Sequence, residues 1–535
     1  MSPLQRYRMG YQPQLPPLLE QLDLLAVEKG GVEKKEGELK SLFPNTSQQP
    51  LVSFKQGNVS IKSAPLKVGV VFSGGQAAGG HNVISGLFDA LKKIDPQSRL
   101  IGFCDGPSGI LKNKSIQIDQ EKMAPYRNQG GFDLIGSSRT KIETPEQFAA
   151  AEATVRGLGL DGLVIVGGDD SNTNAALLAE CFLAKGLSTA VVGVPKTIDG
   201  DLRNEFVDIS FGFDTACKTY SETIGNILKD ALSAKKYYYF IKLMGRTASH
   251  ITLECALKTH PNMSLIGEEI AKEGKSLHQI VTEIADMISV RAEKGKNYGA
   301  ILIPEGLIEF IPEFRQMIQE LNRLMACKEE KDLAISKLTP QASECFKGLP
   351  QTIQNQLLLD RDSHGNVQVS KIETERLVME LVEKELQKRQ QEGGYKGKFS
   401  PQPLFFGYEG RAGLPSNFDC NYCYALGHVA ALLIRSGLTG YMSCVSGLRH
   451  PVPMWEARGI PLYNMLHHER REGKNKPVIQ KALVDLSGPH FTDFVSQRDK
   501  WKWDDDYLCP GPIQFEGPPE LTDQPPITIR YGAKR

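Results

Sequence analysis

The chain of 535 residues contains no apolar run approaching the roughly 18 residues that a membrane-spanning helix needs. Met1 to Leu22 carries prolines and charges in place of the apolar stretch of a secretory leader, so a cytoplasmic location is the expectation. An excess of either charge is missing too, because Lys plus Arg and Asp plus Glu both number 63. That balance removes the overall basic footprint expected of a nucleic-acid binder or of a protein drawn to an anionic membrane. The ten cysteines form no dense framework, which suits reduced thiols better than a disulfide scaffold. Cys420-Asn421-Tyr422-Cys423 has no second pair at zinc spacing and reads as structural. What remains is a chain too long for one core, with about two to three domains expected.

Short apolar runs alternate with helical periodicity. Lys67 to Phe72, Leu100 to Cys104, Gly162 to Val166, Thr189 to Val194, Phe240 to Met244, Gly299 to Ile303 and Gly440 to Cys444 read as strands. Helices are predicted over 81–94, 171–186, 213–236, 246–260 and 275–294. Such alternation implies mostly parallel sheets covered on both faces, with ligands beyond the carboxyl ends of the strands. From about Ile311 to Gly397 the pattern becomes helical only. Phe314, Met317, Ile318, Leu321 and Leu324 follow helical spacing, and Ser370 with Glu373 predicts a capping box before a helix carrying Leu377, Val378, Leu381 and Val382. Within this stretch Asp360-Arg361-Asp362-Ser363-His364-Gly365 imitates the start of a calcium loop, but Lys371 stands where the bidentate Glu belongs. His467-His468-Glu469-Arg470-Arg471 with Lys474 and Lys476 is a basic cluster that reads as a solvated face.

Two clusters carry the chemistry. Val164-Ile165-Val166-Gly167-Gly168-Asp169-Asp170-Ser171 is a strand that breaks into two glycines, two carboxylates and a hydroxyl. Glycines let backbone N–H groups approach a phosphate, and a helix opening at Ser171 aims its positive end there. Pro195-Lys196-Thr197-Ile198-Asp199-Gly200-Asp201 adds a cation, a hydroxyl and two carboxylates. Together they read as a magnesium phosphoryl-transfer site, with one carboxylate on Mg²⁺ and another available as a base.

These two segments, with Ser73-Gly74-Gly75, Met244-Gly245-Arg246, Pro304-Glu305-Gly306 and Gly407-Tyr408-Glu409-Gly410-Arg411 in the same order, resemble the phosphofructokinase family. The likeness is to its pyrophosphate-dependent branch, in the long form similar to the plant beta-subunit type. The resemblance implies an α/β protein of two Rossmann-like doubly wound domains with a helical insertion. Its parts would be an N-terminal extension over 1–65, a donor-binding domain over 66–235 completed by part of 405–480, and a sugar-phosphate domain over 236–310. The insertion would follow over 311–400, then a substrate-closing motif and C-terminal segment over 401–535.

The implied reaction is reversible, Mg²⁺-dependent transfer of a phosphoryl group from pyrophosphate to the C1 hydroxyl of fructose 6-phosphate. The implied site has Asp199 as proton acceptor with Asp201 in support, Asp169 on Mg²⁺ and Gly75 in the pyrophosphate cradle. Sugar contacts would come from Thr197, Ile198, Met244, Gly245, Arg246 and Glu305, and Tyr408, Glu409, Gly410 and Arg411 would close on the substrate, the arginine on its phosphate. Lys236 and Tyr237 would reach the sugar phosphate in a neighbouring subunit, implying a homodimer with shared active sites. Asp170 and Lys196 stand where ATP-using relatives have glycine. A carboxylate at 170 repels a nucleotide's α-phosphate, and Lys196 reaches the transferring phosphoryl. The alternatives are an ATP-dependent phosphofructokinase, which glycines at 170 and 196 would have favoured, and a non-catalytic regulatory subunit, against which Asp169, Asp199, Asp201 and Arg246 stand.

Overall fold

The computed structural model describes residues 1–32, 37–57, 64–326, 335–359, 367–471 and 474–511. The calcium-like stretch Asp360 to Gly365 lies outside them. Among the described residues the chain forms two compact units, one from Met1–Ala216 and Gly410–Ala482, the other from Cys217–Glu409 and Leu483–Gly511.

In the first unit a ten-stranded sheet runs in the order Leu25–Lys29, Val52–Gln56, Glu456–Pro461, Tyr441–Ser446, Ala190–Pro195, Gly162–Gly167, Lys67–Ser73, Arg99–Phe103, Ser115–Ile118, and Ser137–Ser138 also pairs with Lys67–Ser73. Its centre is parallel: Gly162 to Gly167 lie opposite Ala190 to Pro195, and Val68 to Phe72 opposite Gly162 to Val166. These strands are buried along nearly their whole length, as apolar runs in a parallel sheet covered on both faces must be. The edges are antiparallel, where Arg99–Phe103 meets Ser115–Ile118 and Leu25–Lys29 meets Val52–Gln56. Neither antiparallel edge was expected from the sequence. A core of Val71, Leu163, Ile165, Phe182 and Val191 packs under the parallel centre.

The second unit holds a four-stranded parallel sheet in the order Met263–Ser264, Gly299–Pro304, Tyr238–Leu243, Pro401–Phe406. The Pro401–Phe406 strand is one the sequence reading missed. Its prolines are tolerated because it is an edge strand, with a ladder to satisfy on one side only. The helical stretch carries Pro312–Ala326, Pro340–Lys347, Gln351–Leu359 and Thr374–Gln391. Met317, Leu321, Leu377 and Val382 from these helices join Phe240, Ile284 and Ile301 in one core, so this stretch is part of the unit's own interior. The expected capping box is absent: Glu373 is itself the N-cap residue of Thr374–Gln391, and Ser370 lies in the 3₁₀ turn Val369–Lys371. None of the helices in the described residues is long and apolar enough to cross a membrane.

Candidate active site

In the first unit the three chemical loops leave adjacent strands at their carboxyl ends. The helix Asp169–Ala184 starts two residues earlier than the sequence suggested, so Asp169 and Asp170 sit in its first turn. There the unpaired N–H groups favour negative charge by about 0.3–1 kcal/mol per carboxylate. Asn172 locks the turn by donating to the carbonyls of Gly167 and Gly168 at 2.6 and 2.9 Å, and the Ser171 hydroxyl donates to that of Ser73 at 2.8 Å. The backbone of Lys196 donates to Gly167 at 3.0 Å, which ties the second loop to the first.

Lys196 is 5 % exposed. Burial, and next the neighbouring Arg411 guanidinium, pull its ammonium down to about 8, against the raising effect of Asp199 and Asp169. Asp201 is also buried. Burial and then the Asp199 charge hold its carboxyl well above the usual carboxylate range, with Lys481 opposing them. Lys481 Nζ lies 3.6 Å from both Asp169 and Asp201. At an effective dielectric near 20 each such contact is worth roughly 4–5 kcal/mol before desolvation, enough to let acidic groups gather here. Thr197 Oγ1 accepts from the Asp199 backbone at 3.2 Å, and Ile198 is buried beside them.

Arg411 is placed differently from the expectation. A Cβ added at Gly75 would collide with Arg411 Nη2, so the glycine is what lets the guanidinium lie against this backbone. Arg411 and Gly75 line a cavity of about 350 Å³ with Gly131, Asp133, Ser138 and Arg139. The arginine expected on the sugar phosphate thus stands on the side of the expected pyrophosphate cradle. Asp170 is half-exposed at 3.6 Å from Lys141 Nζ.

Sequence reasoning missed Arg139 and Lys481. Arg139 follows a strand of only two residues, Ser137–Ser138, too short to show a pattern. Lys481 returns after the hairpin Leu466–Arg471 and Lys474–Ile479, and is set in place by Ala482 donating to the Asp201 carbonyl at 2.7 Å. No local signal marks it.

The second unit gathers a different set. The register puts Leu243 beside both Pro304 and Phe406, so Met244, Glu305 and Gly407 leave the sheet side by side. Glu305 is buried, its carboxylate accepting from the Gly245 backbone at 3.2 Å and its own N–H donating to Leu243 at 2.9 Å. A Cβ at Gly306 would collide with the Arg246 carbonyl, so these two loops close on each other. Tyr408 is 69 % exposed beyond them. The division of the chain falls inside its motif, Glu409 ending one stretch and Gly410 opening the next. Lys236 and Tyr237 precede the strand Tyr238–Leu243, with the Lys236 ammonium 5.2 Å from the Tyr237 ring centre. A six-residue strand separates them from Met244, about 20 Å at a rise of roughly 3.3 Å per residue. The structure does not bring this pair to the Met244 end of its own strand.

A phosphofructokinase family profile matches residues 67–434. The chain belongs to the phosphofructokinase family. It is 53 % identical to the pyrophosphate--fructose 6-phosphate 1-phosphotransferase subunit beta 1 of Arabidopsis thaliana, over 96 % of this chain and 93 % of that one. With the pyrophosphate--fructose 6-phosphate 1-phosphotransferase of Treponema pallidum it shares 51 % identity over 99 % and 97 %. The subunit alpha of Solanum tuberosum is 44 % identical over 97 % and 87 %. Among solved structures, the pyrophosphate-dependent phosphofructokinase of Marinobacter aquaeolei matches with a TM-score of 0.54 at 16 % identity, covering 83 % of this chain and 93 % of that one. That likeness speaks for the phosphofructokinase fold.

Proposed function

We propose that this phosphofructokinase is a pyrophosphate-dependent enzyme that reversibly transfers a phosphoryl group to the C1 hydroxyl of fructose 6-phosphate. The observation that carries the reading is Lys196, a buried ammonium between Arg411, Asp199 and Asp169 where the resemblance places glycine in ATP users. A small, highly charged donor needs cations and backbone N–H groups, which the loops at Gly75, Gly168 and Lys196 supply, and no base pocket. The relatives named above carry the same activity in their names and span nearly the whole chain.

Asp199 takes the proton of the C1 hydroxyl as it attacks, with Asp201 beside it in support. Lys196 and Arg411 attract the oxygens of the transferring phosphoryl. Asp170 repels the α-phosphate of a nucleotide. Thr197, Ile198, Met244, Gly245, Arg246, Glu305 and Tyr408 to Gly410 orient the sugar, Glu305 through its hydroxyls. Lys236 and Tyr237, set at the far end of their strand, serve a neighbouring subunit in a homodimer.

The residues fit Mg²⁺. Asp169 offers a carboxylate in the first helical turn, and the buried Asp201 Oδ2 accepts no hydrogen bond, although Lys481 lies 3.6 Å from both carboxylates. Hard oxygens few in number, completed by phosphate and water, suit this ion. When bound it supplies neutralising charge to the phosphate oxygens. A cytoplasmic setting follows from the substrates.

An assay of the purified chain with pyrophosphate and ATP as rival donors tests the reading. Turnover with pyrophosphate and none with ATP is expected. ATP-dependent turnover would replace it with the nucleotide enzyme, and silence with both donors would point to a non-catalytic subunit.

A further inference from the structure

Lys242 is a charged residue in an interior strand of a buried parallel sheet, flanked by Gly299–Pro304 and Pro401–Phe406, and it is 3 % exposed. An ammonium there is costly unless it is paired and hydrogen-bonded. Its three contacts all lie within the second unit. Its Nζ donates to the Ile372 carbonyl at 2.9 Å and pairs with Glu375 at 3.0 Å, both side chains of that pair being almost inaccessible. It also sits 4.6 Å from the centre of the Phe405 ring, within the range of a cation–π contact. Glu375 belongs to the first turn of the helix Thr374–Gln391, where the helix end favours a carboxylate. That helix is part of the inserted helical stretch, to which the sequence assigned no role.

The contacts continue toward the sugar side. Phe405 lies opposite Lys242 in the parallel register, and its ring meets that of Tyr408 edge to face at 6.3 Å. A Cβ at Gly407 would collide with the Phe405 ring and with Met244 Cε, so the turn from Phe406 to Tyr408 is wrapped around that ring. The Tyr220 hydroxyl donates to the Gly407 carbonyl and fixes the same turn from another side. Apolar residues at both 242 and 375 would fill the space without the burial cost of the pair, so packing alone does not call for the two charges.

We propose that Lys242 is a positioning residue for the sugar site: it links Glu375 of the inserted helices to Phe405 and thereby sets the turn that presents Tyr408. The inserted stretch is then a built-in support of fructose 6-phosphate binding. This inference rests on the sugar-site reading of Tyr408, and a parent protein that does not bind fructose 6-phosphate in calorimetry would sink that reading before the variants are compared.

The experiment uses the full chain and four variants: Lys242→Met, Lys242→Arg, Glu375→Gln and Phe405→Leu. Both KM values and kcat are measured, with fructose 6-phosphate binding followed by calorimetry in the absence of donor. Lys242→Met and Glu375→Gln should raise KM for fructose 6-phosphate on the order of tenfold, leave KM for pyrophosphate within about twofold and change kcat little, as loss of uniform binding does. Lys242→Arg, which keeps the charge and the ring contact, should restore most of the affinity. Phe405→Leu removes one ring at a half-buried position, leaves the ion pair in place and should shift the same KM. It therefore carries the test alone if loss of the ion pair prevents folding. Folded variants whose two KM values move together, or in which fructose 6-phosphate binding is unchanged, would overturn the proposal and leave Lys242 as a purely structural pair.

Discussion

In the first unit the loops after Gly162–Gly167 and Ala190–Pro195 bring Asp169, Asp199, Asp201, Lys196 and the returning Lys481 together, and two of these groups are displaced far from their ordinary ionisation. In the second unit the loops after Tyr238–Leu243 and Gly299–Pro304 bring one buried carboxylate, Glu305, and spend it on the Gly245 backbone. Both use the carboxyl ends of parallel strands. The first concentrates charge where charge has to move, and the second builds a shape from backbone closures. Substitutions at the acidic pair Asp199 and Asp201 of the first should therefore act on the transition state, and substitutions in the second on ground-state binding.

Asp199→Asn should give the largest effect. Removing a positioned base weakens the transition state and leaves most ground-state contacts, so kcat should fall about 10²- to 10⁴-fold with little change in either KM. Steady-state kinetics on folded protein decide it, and near-normal turnover would erase the contrast between the units.

Next in size is the donor switch. Asp170→Gly with Lys196→Gly removes one repulsion against a nucleotide and one attraction for the small donor. Pyrophosphate use should drop sharply and ATP use should become detectable. If the double variant keeps the parent's preference, selectivity resides elsewhere in the cradle.

The charged loops were legible because each is a local run: a strand, glycines, then carboxylates within a few residues. The parallel character of the central strands was legible from the alternation of apolar runs with helical periodicity. Lys481 was not, because a two-stranded hairpin and more than 200 residues of chain stand between it and its partners. Pro401–Phe406 was hidden by prolines that only an edge position allows. The place of Arg411 against Gly75 was not legible either. The motif to which it belongs divides between the units after Glu409, and only the open backbone of Gly75 reveals where its guanidinium goes.

Arg411→Ala sharpens that point. If the guanidinium served the sugar phosphate alone, its loss would raise KM for fructose 6-phosphate and spare pyrophosphate. Its place against Gly75 and beside Lys196 leads to a different expectation: KM for pyrophosphate should rise at least as much, by about 10- to 100-fold, the worth of a charged hydrogen bond of roughly 1.5–3 kcal/mol. A rise confined to the sugar would return the arginine to the second unit's substrate.

The smallest effect is in the pH profile. Lys196 attracts phosphoryl oxygens only when protonated, and burial followed by the Arg411 charge brings its ammonium down to about 8, from roughly 10.4 for an exposed lysine. The free enzyme should therefore lose kcat/KM for pyrophosphate as pH rises through 8, because the neutral amine gains population there. Lys196→Arg keeps its charge at every accessible pH and should lack this limb, so the ratio of parent to variant in the same buffers cancels the titration of pyrophosphate itself. Arg411→Ala removes the second cause of the shift and should move the limb to higher pH. A profile with no fall near 8 in the parent, or a limb that stays in place when Arg411 is removed, would mean that the two cations do not share one cradle.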